Sequence, residues 1–162
     1  LWDNKNIYIL RRCIVFHKIL IPVDGSEESQ KGVEIGRGLA DSCHEAEVML
    51  LYVMIPVTLF AAATPGDERY ISAVPEILVF RQQEAEELLE AAKSKFSGSA
   101  ATLRTQIEEG HPAGIILEVA KKGSYDLIIL GSRGLSRVAG FLLGSVSDAV
   151  AHHAHCPVLI VR

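Results

Sequence analysis

Cysteine is scarce in this chain. Its three copies, Cys13, Cys43 and Cys156, are far apart and odd in number. No pair has zinc-finger or thiol-redox spacing, so reduced thiols in a cytoplasmic protein are expected. Long apolar runs are also missing: none approaches the ~18–20 residues that cross a bilayer, which argues against a membrane partner. The opening stretch, LWDNKNIYILRRCIVF, is interrupted by Arg11 and Arg12 and is followed by no small-residue cleavage site. It therefore makes a poor secretory leader. Basic charge is not in excess either. Sixteen Lys and Arg stand against 20 Asp and Glu, a net charge of −4, which argues against binding nucleic acid through its phosphate backbone. There is no internal repeat and no low-complexity tract. What remains is a chain of 162 residues, 49% hydrophobic, the make-up of one globular domain able to bury a sizeable core.

Four short apolar runs stand out: Lys18 to Val23, Glu47 to Met54, Asp126 to Leu130 and Pro157 to Val161. Runs of this length suit strands covered on both faces, as in a parallel sheet between helices. A fifth segment, Leu103 to Glu108, alternates, as befits a half-exposed edge strand. Helix signals fill the intervals. Ser26 can cap a helix whose apolar positions are Val33, Ile35, Leu39 and Ala40. Pro75 to Phe96 carries Leu78, Ala85, Leu88, Leu89 and Ala92, with Lys93 and Lys95 near its end. Pro112 suits a first helical position, with Ile115, Ile116, Val119 and Ala120 following and Gly123 as the stop. Ser145 opens a last helix to about His153. The stretch from Pro56 to Pro75 reads as a loop. The order β–α–β–α–β–α–β–α–β implies right-handed crossovers and a doubly wound α/β fold with a parallel five-stranded sheet.

Ligands of such sheets sit outside the carboxyl ends of the strands. Two ends are chemically marked here: Pro22-Val23-Asp24-Gly25-Ser26 after the first strand, and Gly131-Ser132-Arg133-Gly134 after the fourth. Nine residues later comes Gly144-Ser145-Val146-Ser147. Gly131 and Gly134 permit positive φ and close approach of backbone N–H groups to an anion. Gly144 and Ser145 stand at a helix start, where unpaired N–H groups favour phosphate. Ser145 and Ser147 add hydroxyl donors. Asp24 could accept hydrogen bonds from a nucleoside or help to hold a metal. The plainer alternative is that the glycines punctuate turns and Ser145 is an ordinary N-cap.

The run GSRGLSRVAGFLLGS, with Gly-x2-Gly-x9-Gly-Ser spacing, resembles the ATP-binding signature of the universal stress protein family. KILIPVDGSEES resembles that family's first strand and loop, and SVSDAVAHHAHCPVLIVR its closing helix and strand. The similarity runs from about His17, leaving residues 1–16 as an extension of unknown role. It implies strand order 3-2-1-4-5, helices on both faces and a bound ATP or AMP, with Mg²⁺ or Mn²⁺ carried by the phosphates. Pro22, Val23, Asp24 and Val53 would then serve the nucleoside. Gly131, Ser132, Arg133 and Gly134 would line ribose and phosphates, and Gly144, Ser145, Val146 and Ser147 the phosphates. No motif position is substituted, so nothing points to a branch of the family that lacks nucleotide. The resemblance also implies a homodimer through an antiparallel pairing of Pro157–Val161 with its twin.

Other residues invite roles and lose them. His152, His153 and His155 offer at most one pair on a common helix face, without a carboxylate or cysteine to complete a metal set. Arg133 and Arg137 could touch phosphates, whereas Lys121 and Lys122 suit a helix C-terminus and need nothing more. There is no Walker lysine motif and no nucleophile elbow around Ser145. These readings leave a nucleotide-binding regulatory or stress-response module, with slow or partner-dependent hydrolysis open. The competing reading is an adenylyl-transferring or ATP-pyrophosphatase enzyme with the same sheet. Such enzymes need a Ser-Gly-Gly-x-Asp-Ser or His-x-Gly-His loop after the first strand, and VDGSEES is neither. A receiver domain would need an acidic cluster there and a Lys ending the fifth strand.

Overall fold

Strand β1 (Lys18–Pro22) lies at the middle of a parallel sheet whose other members are β2 (Glu47–Met54), β3 (Thr102–Glu109), β4 (Leu127–Gly131) and β5 (Val158–Val161). Their order is β3-β2-β1-β4-β5. The computed structural model describes residues 16–43, 46–56, 68–134 and 143–162, with side chains from Glu76 onward in the helix that begins at Glu68. Expected strand ends shift by a residue for local reasons. Asp126 stays outside β4 because its carboxylate accepts the N–H groups of His17 (2.8 Å) and Lys18 (3.0 Å) and pins the start of β1. Pro157 stays outside β5; it has no N–H, and its carbonyl accepts from Ile128 at 3.0 Å. The alternating strand, β3, lies at an edge and is half-exposed, as expected.

Among the described residues, the helices that connect these strands are α1 (Glu27–Ser42), α2 (Glu68–Ser94), α3 (Pro112–Lys122) and α4 (Ser145–His153). Alternation along the strands splits the core in two. Ile19, Ile21, Leu50 and Ile129 pack with Val33 and Ala40 of α1 and with Leu89 and Ala92 of α2. Leu20, Leu51, Ile128 and Leu130 pack with Ile116 and Ala120 of α3 and with Val150 of α4. The sheet is therefore covered on both faces.

Two helix expectations need correction, and a third holds for a different reason. The face of α1 that packs is Gly32, Val33, Gly36 and Ala40, while Ile35 is 41% exposed. Small residues win because the helix lies very close: a Cβ on Gly36 would sit 2.3 Å from Ile21 Cδ1. The second helix begins at Glu68 and passes through Pro75, so the expected loop ends early, and Leu78 is exposed. Residues 57–67 lie outside the described ones. Gly123 ends α3, though without the left-handed conformation usual for a stop. Ser124 takes it instead, at φ 54°, with Tyr125 N–H bonded to Ala120 O and Ser124 N–H to Lys121 O. Gly123 has a packing reason: a Cβ there would meet the Tyr125 ring at 2.2 Å.

Candidate functional site

Strands β1 and β4 are neighbours, yet the chain leaves β1 toward α1 on one face and enters α4 on the other. A crevice opens between their carboxyl ends, the switch point at which doubly wound sheets place ligands. Here it is a cleft of about 440 Å³. Its walls include Pro22, Val23 and Asp24 after β1, Val53 of β2, Gly131, Arg133 and Gly134 after β4, and Gly144, Ser145, Val146 and Ser147 at the start of α4. Eleven of the twelve expected site residues thus meet in one space. The twelfth, Ser132, does not line it. Ser132 is buried, its N–H bonded to Val161 O (2.6 Å) and its carbonyl accepting from Gly144 N–H at 2.8 Å. It braces the start of α4 from behind.

Among the described residues three helices start at this rim; α3 begins with Pro112, which has no N–H to offer, and the other two differ in their caps. Helix α1 is closed by its own side chains. Ser26 accepts from Ser29 N–H (3.2 Å), and Asp24 Oδ1 accepts from both Ser26 N–H (3.0 Å) and Ser26 Oγ–H (2.6 Å). Gly25, at φ 83°, makes the tight turn between them. Helix α4 is capped by bare Gly144, with no side-chain bond. Its first N–H groups have no intrahelical partners and carry the positive end of the dipole. Gly144 N–H is already used by Ser132, which leaves Ser145, Val146 and Ser147 N–H as the groups available to an anion. Ser145 is exposed and is the first helical residue rather than the cap. Ser147 is 2% exposed, and its single hydroxyl proton faces the carbonyls of Ser132 (2.8 Å) and Gly144 (2.9 Å). In this arrangement Ser147 holds the loop to the helix, and its hydroxyl proton is directed at those carbonyls.

The glycines of the β4 end also act differently from the expectation. Neither Gly131 nor Gly134 has positive φ. A Cβ on Gly131 would come within 3.0 Å of the Glu28 and Ser29 backbone, so its bareness lets β4 pass the start of α1. A Cβ on Gly134 would approach Asp24 Oδ2 at 2.7 Å. Asp24 thus has one oxygen committed to Ser26 and the other aimed across the cleft at Gly134. Arg137 and most of the intervening loop fall outside the described residues.

Several walls were not anticipated. Leu51, Leu130, Pro112 and Ile116 give the cleft an apolar side, and Tyr52, Ile55 and Arg81 stand at the end of β2. The Tyr52 hydroxyl is pushed above the usual tyrosine range, first by burial and then by the Glu84 carboxylate. Arg81 reaches from α2, and its Nη1 donates to Ile55 O at 2.7 Å. Nothing in the local pattern marks Arg81, because α2 carries the residue amid acidic ones and only the fold brings it to β2.

The sequence model of the universal stress protein family matches residues 16–162. The chain belongs to that family. It is 34% identical over 160 residues to universal stress protein MJ0531 of Methanocaldococcus jannaschii, covering 96% of this chain and 90% of that protein. The universal stress protein UspA from Lactobacillus plantarum superposes with a TM-score of 0.77 at 26% identity, over 91% of this chain and 99% of that one. More distant members share the fold at 18% identity. They include a universal stress protein of Archaeoglobus fulgidus in complex with dAMP (TM-score 0.62, covering 91% and 99%). Another is an Arabidopsis thaliana member with AMP bound (TM-score 0.63, covering 90% of each chain). Among the described residues, no helix of this universal stress protein is long and apolar enough to cross a membrane.

Proposed function

We propose that this protein binds an adenine nucleotide, ATP or AMP, in the cleft at the switch point and acts as a stress-response regulator in the cytoplasm. The observation that carries this reading is the open start of α4, facing a cleft with an apolar side formed by Leu51, Val53, Ile116 and Leu130. An anion fits the first feature and a flat ring the second. The AMP and dAMP held by distant relatives of the same fold support it. Among the described residues, Asp24 is the one carboxylate in the cleft walls. A single carboxylate does not make a cation site, so Mg²⁺ or Mn²⁺ would be held chiefly by the nucleotide phosphates.

Protein shown to be free of nucleotide should melt at higher temperature with ATP and Mg²⁺, and less so with GTP. Ligand at a hundred times its dissociation constant stabilises by about 2.7 kcal/mol, or roughly 5–10 °C for a chain of this length. AMP in a parallel arm decides how much the outer phosphates contribute. No shift at millimolar ATP would overturn the reading.

A homodimer through β5 is the second part of the proposal. The strand is an edge of the sheet, pairs β4 on one side, and presents Leu159 at 37% exposure. An uncovered apolar edge invites pairing, and a two-fold contact of like strands closes it. Light scattering should give a dimer that Leu159→Lys weakens. A monomeric wild type would refute it. The rival cover, residues 7–10 or 14–16 of the extension, lies outside the described residues except for Phe16.

A further inference from the structure

The cleft has a cation at the end away from α4, and the nucleotide reading gives it no role. We infer that Arg81 recognises the base, its guanidinium lying against the purine ring at the β2 end of the cleft. The inference rests on the nucleotide reading and adds to it a residue that decides affinity for the base.

Distance separates the two ends. Strand β2 lies two strands from β4, roughly 10 Å at the usual ~4.8 Å spacing. Groups at the end of β2 therefore address the part of a mononucleotide opposite the phosphates held at α4. The walls there suit a ring and not an anion: Leu51 and Val53 of β2 and Ile116 of α3 are apolar. Arg81 enters from the opposite side, carried by α2, and is held by its bond to the Ile55 carbonyl. A guanidinium already held in this way has less freedom to lose on stacking. Its charge is delocalised and weakly hydrated, and it favours the face of an aromatic ring. Tyr52, at the same strand end, supplies a second aromatic surface beside it.

The rival role for Arg81 is a long reach to the phosphates, and the two roles differ in what they read. Calorimetry of adenosine, AMP and ATP binding to nucleotide-free wild type, Arg81→Gln and Arg81→Lys separates them. Base stacking predicts that Arg81→Gln weakens all three ligands by the same factor, roughly 3- to 30-fold. It also predicts that Arg81→Lys, which keeps the charge without the planar group, restores little of the loss. Thermal melting of the ligand-free variants shows that the fold persists, and the lysine variant keeps the test valid if the glutamine variant is unstable. Losses that grow from adenosine to ATP and are repaired by lysine would overturn the inference. Unchanged affinities in both variants would do so too. In either case the wild type still binds and the nucleotide reading stands. A wild type that binds none of the three ligands removes both.

Discussion

Helices α1 and α4 begin at the same rim of the sheet, and they begin in opposite ways. Helix α1 has a side-chain cap: Ser26 Oγ accepts Ser29 N–H of the first turn, Asp24 holds Ser26 in place, and Glu27 and Glu28 answer its dipole with negative charge. Helix α4 has a cap without a side chain and begins Ser-Val-Ser. The acidic residue of its first turn, Asp148, lies a turn along beside His152 Nδ1 at 3.7 Å. One start therefore repels an anion and the other invites it, although both stand at carboxyl ends of neighbouring strands. Position at a switch point makes a crevice. The chemistry of the cap decides what the crevice holds.

The comparison breaks most severely at Gly131, where the two starts depend on one another. The bare Cα of Gly131 lets β4 run past the Glu28–Ser29 backbone. Gly131→Val would force the start of α1 away from β4, and the shift would reach the Gly131–Gly134 wall of the cleft. Overpacking of this kind costs about 1–3 kcal/mol. We expect a midpoint lowered accordingly in urea unfolding, together with a loss of ATP affinity. A variant as stable as wild type would show that the two starts move independently.

Much of this arrangement was legible in the residues. The apolar runs were, because parallel strands covered on both faces carry little else, and β2 falls on its expected bounds. The capping of α1 was legible because Asp-Gly-Ser is a local signal with a local partner. The spacing of Gly131, Gly134 and Gly144 located the cleft, but for reasons that sequence does not carry. Whether a glycine serves a positive φ or a close approach depends on what passes beside it, and for Gly131 that is a helix about a hundred residues earlier. The same holds for Ser147, whose hydroxyl looks available until the carbonyl of Ser132 is placed beside it. Arg81 was invisible for the opposite reason: its partner, Ile55, lies across a stretch of the chain whose length says nothing of where α2 docks. Ile35 misled because α1 packs through small residues, which a search for large apolar ones passes over.

The smallest change sharpens the comparison furthest, because it gives α4 the character of α1. Ser145 is the exposed first residue of α4, so a glutamate there meets no packing obstacle. Its carboxylate would lie at the positive end of the helix dipole, as Glu27 does in α1. Such a charge stabilises a helix start by about 0.3–1 kcal/mol at low ionic strength. Ser145→Glu should therefore melt slightly higher than wild type in low salt, by roughly 1–4 °C. It should also lose ATP binding, since the introduced carboxylate competes for the same N–H groups and repels the phosphates. The two effects have opposite signs and one cause, which distinguishes them from general damage to the fold. Raising the ionic strength should shrink the gain in stability by screening. Unchanged ATP affinity in this variant would place the phosphates away from α4. Lower stability would mean that the first N–H groups of α4 are already satisfied.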